Sequence, residues 1–176
     1  HIGIDIPYEK GTHRPSAAQQ AKNSSQSESL MQSLQQCSDY YMAQLKQSAQ
    51  AVEYLKQRGV SGATAKAFGI GFAPAGWNNL SGDQQNLIDA GMLIRNDSGK
   101  VYDRFRHRIM FPIRDRRGRT IAFGGRIINP EDNPKYLNSP ESPIFHKGEE
   151  IYGLYELKQA NTQISQIFIT EGYMDV

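Results

Sequence analysis

From Val101 to Phe123 the chain spells out two strands and the turn between them, which narrows the architectures open to it. Val101 to Pro112 reads as a strand: Tyr102, Arg104, Arg106 and Arg108 fall on one face, and Phe105, His107 and Ile109 on the other. Arg114-Asp115-Arg116-Arg117-Gly118-Arg119 reads as a turn in which glycine supplies the awkward dihedral. Thr120 to Phe123 is the returning strand, and Gly124-Gly125 is expected to break it. An antiparallel pair of this kind beside helical segments predicts an α+β fold.

The same region carries most of the positive charge. Formal charge over the 176 residues is +2, but Lys100 to Arg126 holds nine Lys and Arg against Asp103 and Asp115. That is a local +7, leaving −5 elsewhere. A single-sign block suits a polyanionic partner, although exposed charge for solubility accounts for part of it. Arg104 and Arg106, two apart on one strand face, would stand about 6.5 Å apart, near the phosphate spacing of a nucleic-acid strand. Guanidinium forks match phosphate oxygens.

Ahead of this block the reading is helical. Pro7, Gly11 and Pro15 mark an irregular start, and the Ser-, Gln- and Ala-rich stretch Ser16 to Ser29 is expected to be flexible. Residues 1–29 therefore read as a lead-in. Leu30, Leu34, Cys37, Tyr41 and Leu45 then recur at helical spacing, with Ser25 or Ser27 as the cap and Glu28 suited to the first turn. Further helices are predicted over Ala49–Arg58, stopped by Gly59 and with Glu53 near its start, over Ser61–Phe68, and over Gln84–Ala90, with Trp77 packed near the last. Cys37 is the only cysteine, which excludes an internal disulfide and a multi-cysteine zinc site. On the apolar stripe it reads as core rather than nucleophile. No membrane-length apolar run and no secretion signal is visible, so a cytoplasmic location is expected.

Beyond the hairpin, Lys135 and Lys147 bracket a loop that holds Tyr136, Asn138 and His146 and is stiffened by Pro140 and Pro143, a composition that fits substrate binding and ordinary surface alike. His146 by itself reads as exposed or structural. Gly153–Ala160 is predicted helical, and Ile164–Thr170 a buried parallel strand. Glu171-Gly172-Tyr173-Met174-Asp175-Val176 follows it directly. A carboxylate at the carboxyl end of such a strand lies where open α/β sheets place their sites, and Glu171 with Asp175 could share a divalent cation. A helix N-terminus would attract the same acids without chemistry.

Taken in order, Tyr102-Asp103-Arg104-Phe105-Arg106, Arg108-Ile109-Met110-Phe111-Pro112-Ile113, Phe123-Gly124-Gly125-Arg126, Lys135-Tyr136-Leu137-Asn138-Ser139-Pro140-Glu141, Ile144-Phe145-His146-Lys147-Gly148, Tyr152-Gly153-Leu154-Tyr155 and Glu171 to Val176 resemble the RNA-polymerase core of bacterial primases of the DnaG type. The resemblance runs from about Val52 to Val176. It implies a mixed helix and strand basic subdomain over 30–150 (helical over 30–91, strand-rich over 92–150), then the first strand of a truncated α/β TOPRIM domain over 151–176. It implies synthesis of short RNA primers on single-stranded DNA from ribonucleoside triphosphates, with Mg2+ or Mn2+. Glu171 would be a metal ligand or acid/base residue and Asp175 its neighbour. Arg104, Arg106 and Arg126 would hold template or nucleotide phosphate, Lys135 and Lys147 would contact nucleotide or primer phosphates, and Tyr136 and Asn138 would support the loop.

Departures from the family pattern bear on activity. The zinc domain and the helicase-binding domain are absent, so zinc, the replicative helicase and single-strand-binding protein would engage regions not present here. The later TOPRIM aspartates are missing, and Gly76 to Gly82 is shorter than the family's stretch, which leaves contiguity between Leu80 and Ser81 open. The chain alone is expected to be inactive. Two other readings stand beside this one: another TOPRIM enzyme (a topoisomerase or phage helicase-primase), and a non-catalytic module that binds single strands.

Overall fold

The computed structural model describes residues 16–161 and 163–176. The irregular start expected over residues 1–15 lies outside them. Its longest element is helix α1, Ala17–Gln47. Leu30, Leu34, Cys37, Tyr41 and Leu45 are all buried along one stripe, as their spacing predicts. The stretch 16–29 is helical rather than flexible, and the cap is Ser16, which accepts from the Gln19 N–H at 3.2 Å, in place of Ser25 or Ser27. Ala18, Gln19, Gln20 and Ala21 are good helix formers, and the Gln19 side chain bonds Asn23 at 3.0 Å. These turns extend an already packed helix into solvent, so no apolar stripe announces them.

Ser48 turns the chain into α2, Ala49–Gln57, by accepting from the Ala51 N–H. Ser61 does the same for α3, Gly62–Phe68. Strand β1, Gly71–Ala73, and helix α4, Gln84–Asp89, follow, then a hairpin of β2, Leu93–Arg95, and β3, Val101–Asp103. The main sheet is antiparallel in the order β1-β4-β5-β6, with β4 at Arg108–Arg114, β5 at Thr120–Ile127 and β6 at Tyr136–Asn138. Helix α5 spans Leu154–Ala160. Leu34, Cys37 and Tyr41 of α1 meet Phe105, Met110 and Phe123 in one core; Leu45, Leu55, Ile109 and Phe111 form a second beside it. Among the described residues no helix is long and apolar enough to cross a membrane.

Three further sequence expectations change. The strand over Val101–Pro112 is two strands, β3 and β4, separated by a kink at Arg104–His107. There the Arg104 N–H donates to Met92 O and the His107 N–H to Pro74 O, so these two groups bond without a strand partner. His107 takes φ +51°, Phe105 turns into the core, and the shared face and fixed spacing expected for Arg104, Arg106 and Arg108 are lost.

Gly124-Gly125 does not break β5 but runs through its middle, paired with Met110 and Phe111 of β4. A Cβ on Gly124 would sit 2.5 Å from the Tyr173 ring, and one on Gly125 would sit 2.9 Å from Phe105. The glycines admit neighbouring rings against the sheet. Lastly, Ile164–Thr170 is neither a strand nor buried: Phe168 and Ile169 are each 83% exposed, and no strand pairs with the segment among the described residues. An apolar run becomes an interior strand only where neighbouring strands take up its N–H and C=O groups.

Candidate nucleic-acid interface

Strand β6 organises the site. Its alternation puts Tyr136 and Asn138 on one face and sends Leu137 against the core. Register with β5 places Arg126 opposite Tyr136 and Gly124 opposite Asn138. The Arg126 side chain, in a residue only 8% exposed, donates from Nη1 to the Tyr136 hydroxyl, approaches Met174 Sδ at 3.5 Å, and lies 5.1 Å from the Tyr136 ring centre. Lys135 Nζ stands 5.9 Å from the same ring. Tyr173 fills the space over Gly124. It stacks on Phe111 at 5.2 Å and donates to Asn138 Oδ1 at 2.9 Å. Arg104 donates from Nε and Nη2 to Asn138 O at 3.3 and 3.1 Å, and partial burial lowers its guanidinium pKa.

The kink after β3 builds a second patch. Asp103, 1% exposed, accepts the Asn79 N–H at 2.7 Å and the Leu80 N–H at 3.4 Å, while its own N–H donates to Trp77 O at 2.7 Å. This fixes the 77–80 loop beside β3. Trp77 is then 55% exposed and edge-on to Tyr102 at 5.3 Å. The Arg106 guanidinium lies 4.0 Å from the Trp77 ring centre and donates from Nη1 to Asp103 O. Cation, indole and phenol therefore form a platform, exposed at the indole and half-buried at Tyr102 and Arg106, suited to a stacked base and a nearby phosphate.

The sequence-predicted residues divide accordingly. Arg104, Arg126, Lys135, Tyr136 and Asn138 converge on β6, and Arg106 sits two residues from Arg104 on the Trp77 platform. Lys147 joins neither group among the described contacts. Its backbone N–H instead closes the 141–147 loop on Glu141 Oε1 at 2.8 Å. The Lys147 amide and the His146 ring together hold the Glu141 carboxyl below its ordinary pKa.

Nor does the basic block form one surface. Arg108 is buried with Nη1 on Pro134 O, Arg114 pairs with Glu156 at 2.8 Å, and Arg119 pairs with Asp115. Sequence reasoning placed Trp77 in a packed turn and gave Tyr173 no role of its own. Both belong to the site, and a tryptophan beside glycine in a loop was the available signal for the first.

Glu171 and Asp175 are exposed at the two ends of a turn closed by the Asp175 N–H on Gly172 O at 3.1 Å. Tyr173 and Met174, between them, dock this turn on Asn138 and Arg126. Among the described residues no group of three or more His, Cys, Asp or Glu gathers to hold a metal ion.

The model of the DNA primase catalytic core, N-terminal domain, matches residues 40–158. The chain belongs to this family. It is 50% identical to the DNA primase of Pseudomonas aeruginosa over 99% of its own length and 27% of that protein's, and 46% identical to that of Escherichia coli K12 over 98% and 30%. Among solved structures it is similar to a DnaG primase catalytic domain bound to single-stranded DNA (TM-score 0.82, 49% identity, 87% of this chain and 52% of that one). It is also similar to the RNA polymerase domain of Mycobacterium tuberculosis DnaG (TM-score 0.68, 30% identity, 76% and 46%). The chain thus spans under a third of these curated relatives and about half of these solved chains.

Proposed function

We propose that this chain is the template-holding part of a primase core, which makes short RNA primers on single-stranded DNA from ribonucleoside triphosphates in the cytoplasm. The Trp77–Arg106–Tyr102 platform carries this reading. It offers an exposed indole with a guanidinium held over one face, a short step along the chain from Arg104 and the β6 cluster. Arg104, Lys135 and Arg126 supply positive charge along the strand's path. The similar DnaG catalytic domain is itself bound to single-stranded DNA, which supports the same assignment here.

Catalysis needs more than the described residues offer. Glu171 and Asp175 have the hard oxygen donors that Mg2+ or Mn2+ prefers, but two carboxylates fall short of about six oxygens. They fit such an ion in kind and not in number. In the intact enzyme Glu171 would ligate the metal, which supplies charge stabilisation to the transferred phosphoryl group, and Tyr173 would hold the acid turn against Asn138. Helicase and single-strand-binding protein would engage other regions.

The deciding experiment measures fluorescence anisotropy of a labelled single-stranded oligonucleotide across salt concentrations. Trp77→Ala and Arg106→Ala should each weaken binding by about 1–3 kcal/mol, with a steep salt slope in the parent. Unchanged affinity in both variants overturns the template assignment. Full primer synthesis by an intact primase carrying Glu171→Gln would remove that residue's role. A platform that binds strands while Glu171→Gln has no effect would favour the non-catalytic module.

A further inference from the structure

Away from the basic cluster, and sharing no residue with it, the end of α1, α2 and α3 enclose a groove of about 660 Å³. Its floor is aliphatic: Leu45, Leu55 and Ile70 are buried there, with Val52 and Val60 half-buried beside them. Each of the three helices contributes one lysine to the lining: Lys46, Lys56 and Lys66. All three are exposed, and among the described residues none is ion-paired. Asp39 is the one carboxylate in the lining, and it is already bonded to Gln35 at 2.9 Å.

We infer that this groove docks an amphipathic helix of a partner protein whose polar flanks are acidic. An aliphatic trough of this kind takes up helix side chains at i, i+3, i+4 and i+7. Three unpaired ammonium groups around it select carboxylates on the flanks and disfavour a basic helix. A nucleic acid fits poorly, because the floor offers no aromatic face on which a base would stack and the rim no guanidinium fork. Helix ends fix the positions of the cations: Lys46 lies in the last turn of α1, Lys56 in that of α2 and Lys66 in that of α3. The rim is therefore set by backbone geometry.

The test uses a fluorescein-labelled helical peptide of about 14 residues with leucines at those positions and glutamates elsewhere, against the same peptide with lysines for glutamates. Anisotropy should give a Kd of ~10–50 µM for the glutamate peptide and about tenfold weaker binding for its lysine counterpart. Lys46→Glu, Lys56→Glu and Lys66→Glu together should reverse that preference, and these exposed positions leave the core untouched. Methyl NMR should place the glutamate peptide on Leu45, Val52, Leu55, Val60 and Ile70.

Equal affinity for the two peptides, an unreversed preference in the triple variant, or methyl shifts elsewhere overturns the inference. The measurement is repeated with this chain grafted into intact P. aeruginosa primase in place of the stretch it matches. Retained binding there supports a partner site. Binding lost on grafting shows an internal packing surface and overturns the inference as well. No readout involves nucleic acid, so the outcome is independent of the primer-synthesis proposal.

Discussion

Replacing Asp103 with alanine should loosen the platform and destabilise the whole chain together. The carboxylate is 1% exposed and accepts a short bond from the Asn79 N–H and a long one from Leu80. A hydrogen bond to a charged group contributes about 1.5–3 kcal/mol, and a buried N–H left without an acceptor costs about 1–3 kcal/mol more. Removing a carboxylate from so dry a position recovers part of this. The expected net loss is about 2–4 kcal/mol for Asp103→Ala, and about half of that for Asp103→Asn, which keeps one acceptor. At roughly 2–4 °C per kcal/mol for a chain of this size, Tm should fall by about 4–16 °C in the alanine variant.

Urea unfolding followed by intrinsic fluorescence reads both effects, because Trp77 is the only tryptophan and stands two residues before Asn79, whose N–H the Asp103 carboxylate holds. Before any unfolding, the emission of Asp103→Ala should shift to the red as the 77–80 loop detaches from Arg106. A second readout is Cys37, whose thiol is pushed up to about 12, first by burial and then by the Asp103 charge; its pKa should fall in either variant. Stability within 0.5 kcal/mol of the parent, with unchanged emission, would refute the role given to Asp103.

Gly124→Ala should cost about 1–3 kcal/mol by driving Tyr173 off the sheet, which chemical denaturation measures; adding Tyr173→Ala should remove most of the penalty, and simple additivity would contradict the contact. The Glu141 carboxyl has a lowered folded pKa, so its contribution is present above the unfolded value near 4.5 and lost as pH falls through the folded one. The Lys147 amide resonance should follow that titration and stay flat in Glu141→Gln. Glu156→Gln, which strips Arg114 of its largely buried partner, should lower stability by about 1–3 kcal/mol in thermal melts. A loss below 0.3 kcal/mol would mean that Arg114 is satisfied by Ala67 O alone.

Periodic and punctuating signals in the sequence carried over well into the structure. The stripe from Leu30 to Leu45, the stop of α2 at Gly59 and the hairpin turn at Gly118 each act through local spacing, and each stands where it was expected. Signals that depend on distant partners did not carry over. Nothing local says that the N–H groups of Arg104 and His107 will find Met92 and Pro74, so the kink reads as continuous strand. Gly124 reads as a breaker because Tyr173, which needs its missing side chain, lies 49 positions away. The site was legible as a set of residue types around Lys135–Asn138. Its geometry was not, since convergence on Asn138 is a property of cross-strand register and of a turn far along the chain. Ile164–Thr170 shows the converse, an apolar composition whose partners the described residues do not supply.

The register of β6 has a consequence for self-association. Among the described residues β6 is the outer strand of its sheet, the kind of edge along which copies of a chain zip together, and the Arg104 side chain already occupies Asn138 O there. Pro134 and Pro140 stand just outside its two ends, and the strand itself is only three residues long. A second chain laid along it would find a ladder too short to propagate. The same brevity leaves Tyr136 and Asn138 open to solvent on a strand that resists becoming the seed of a fibre.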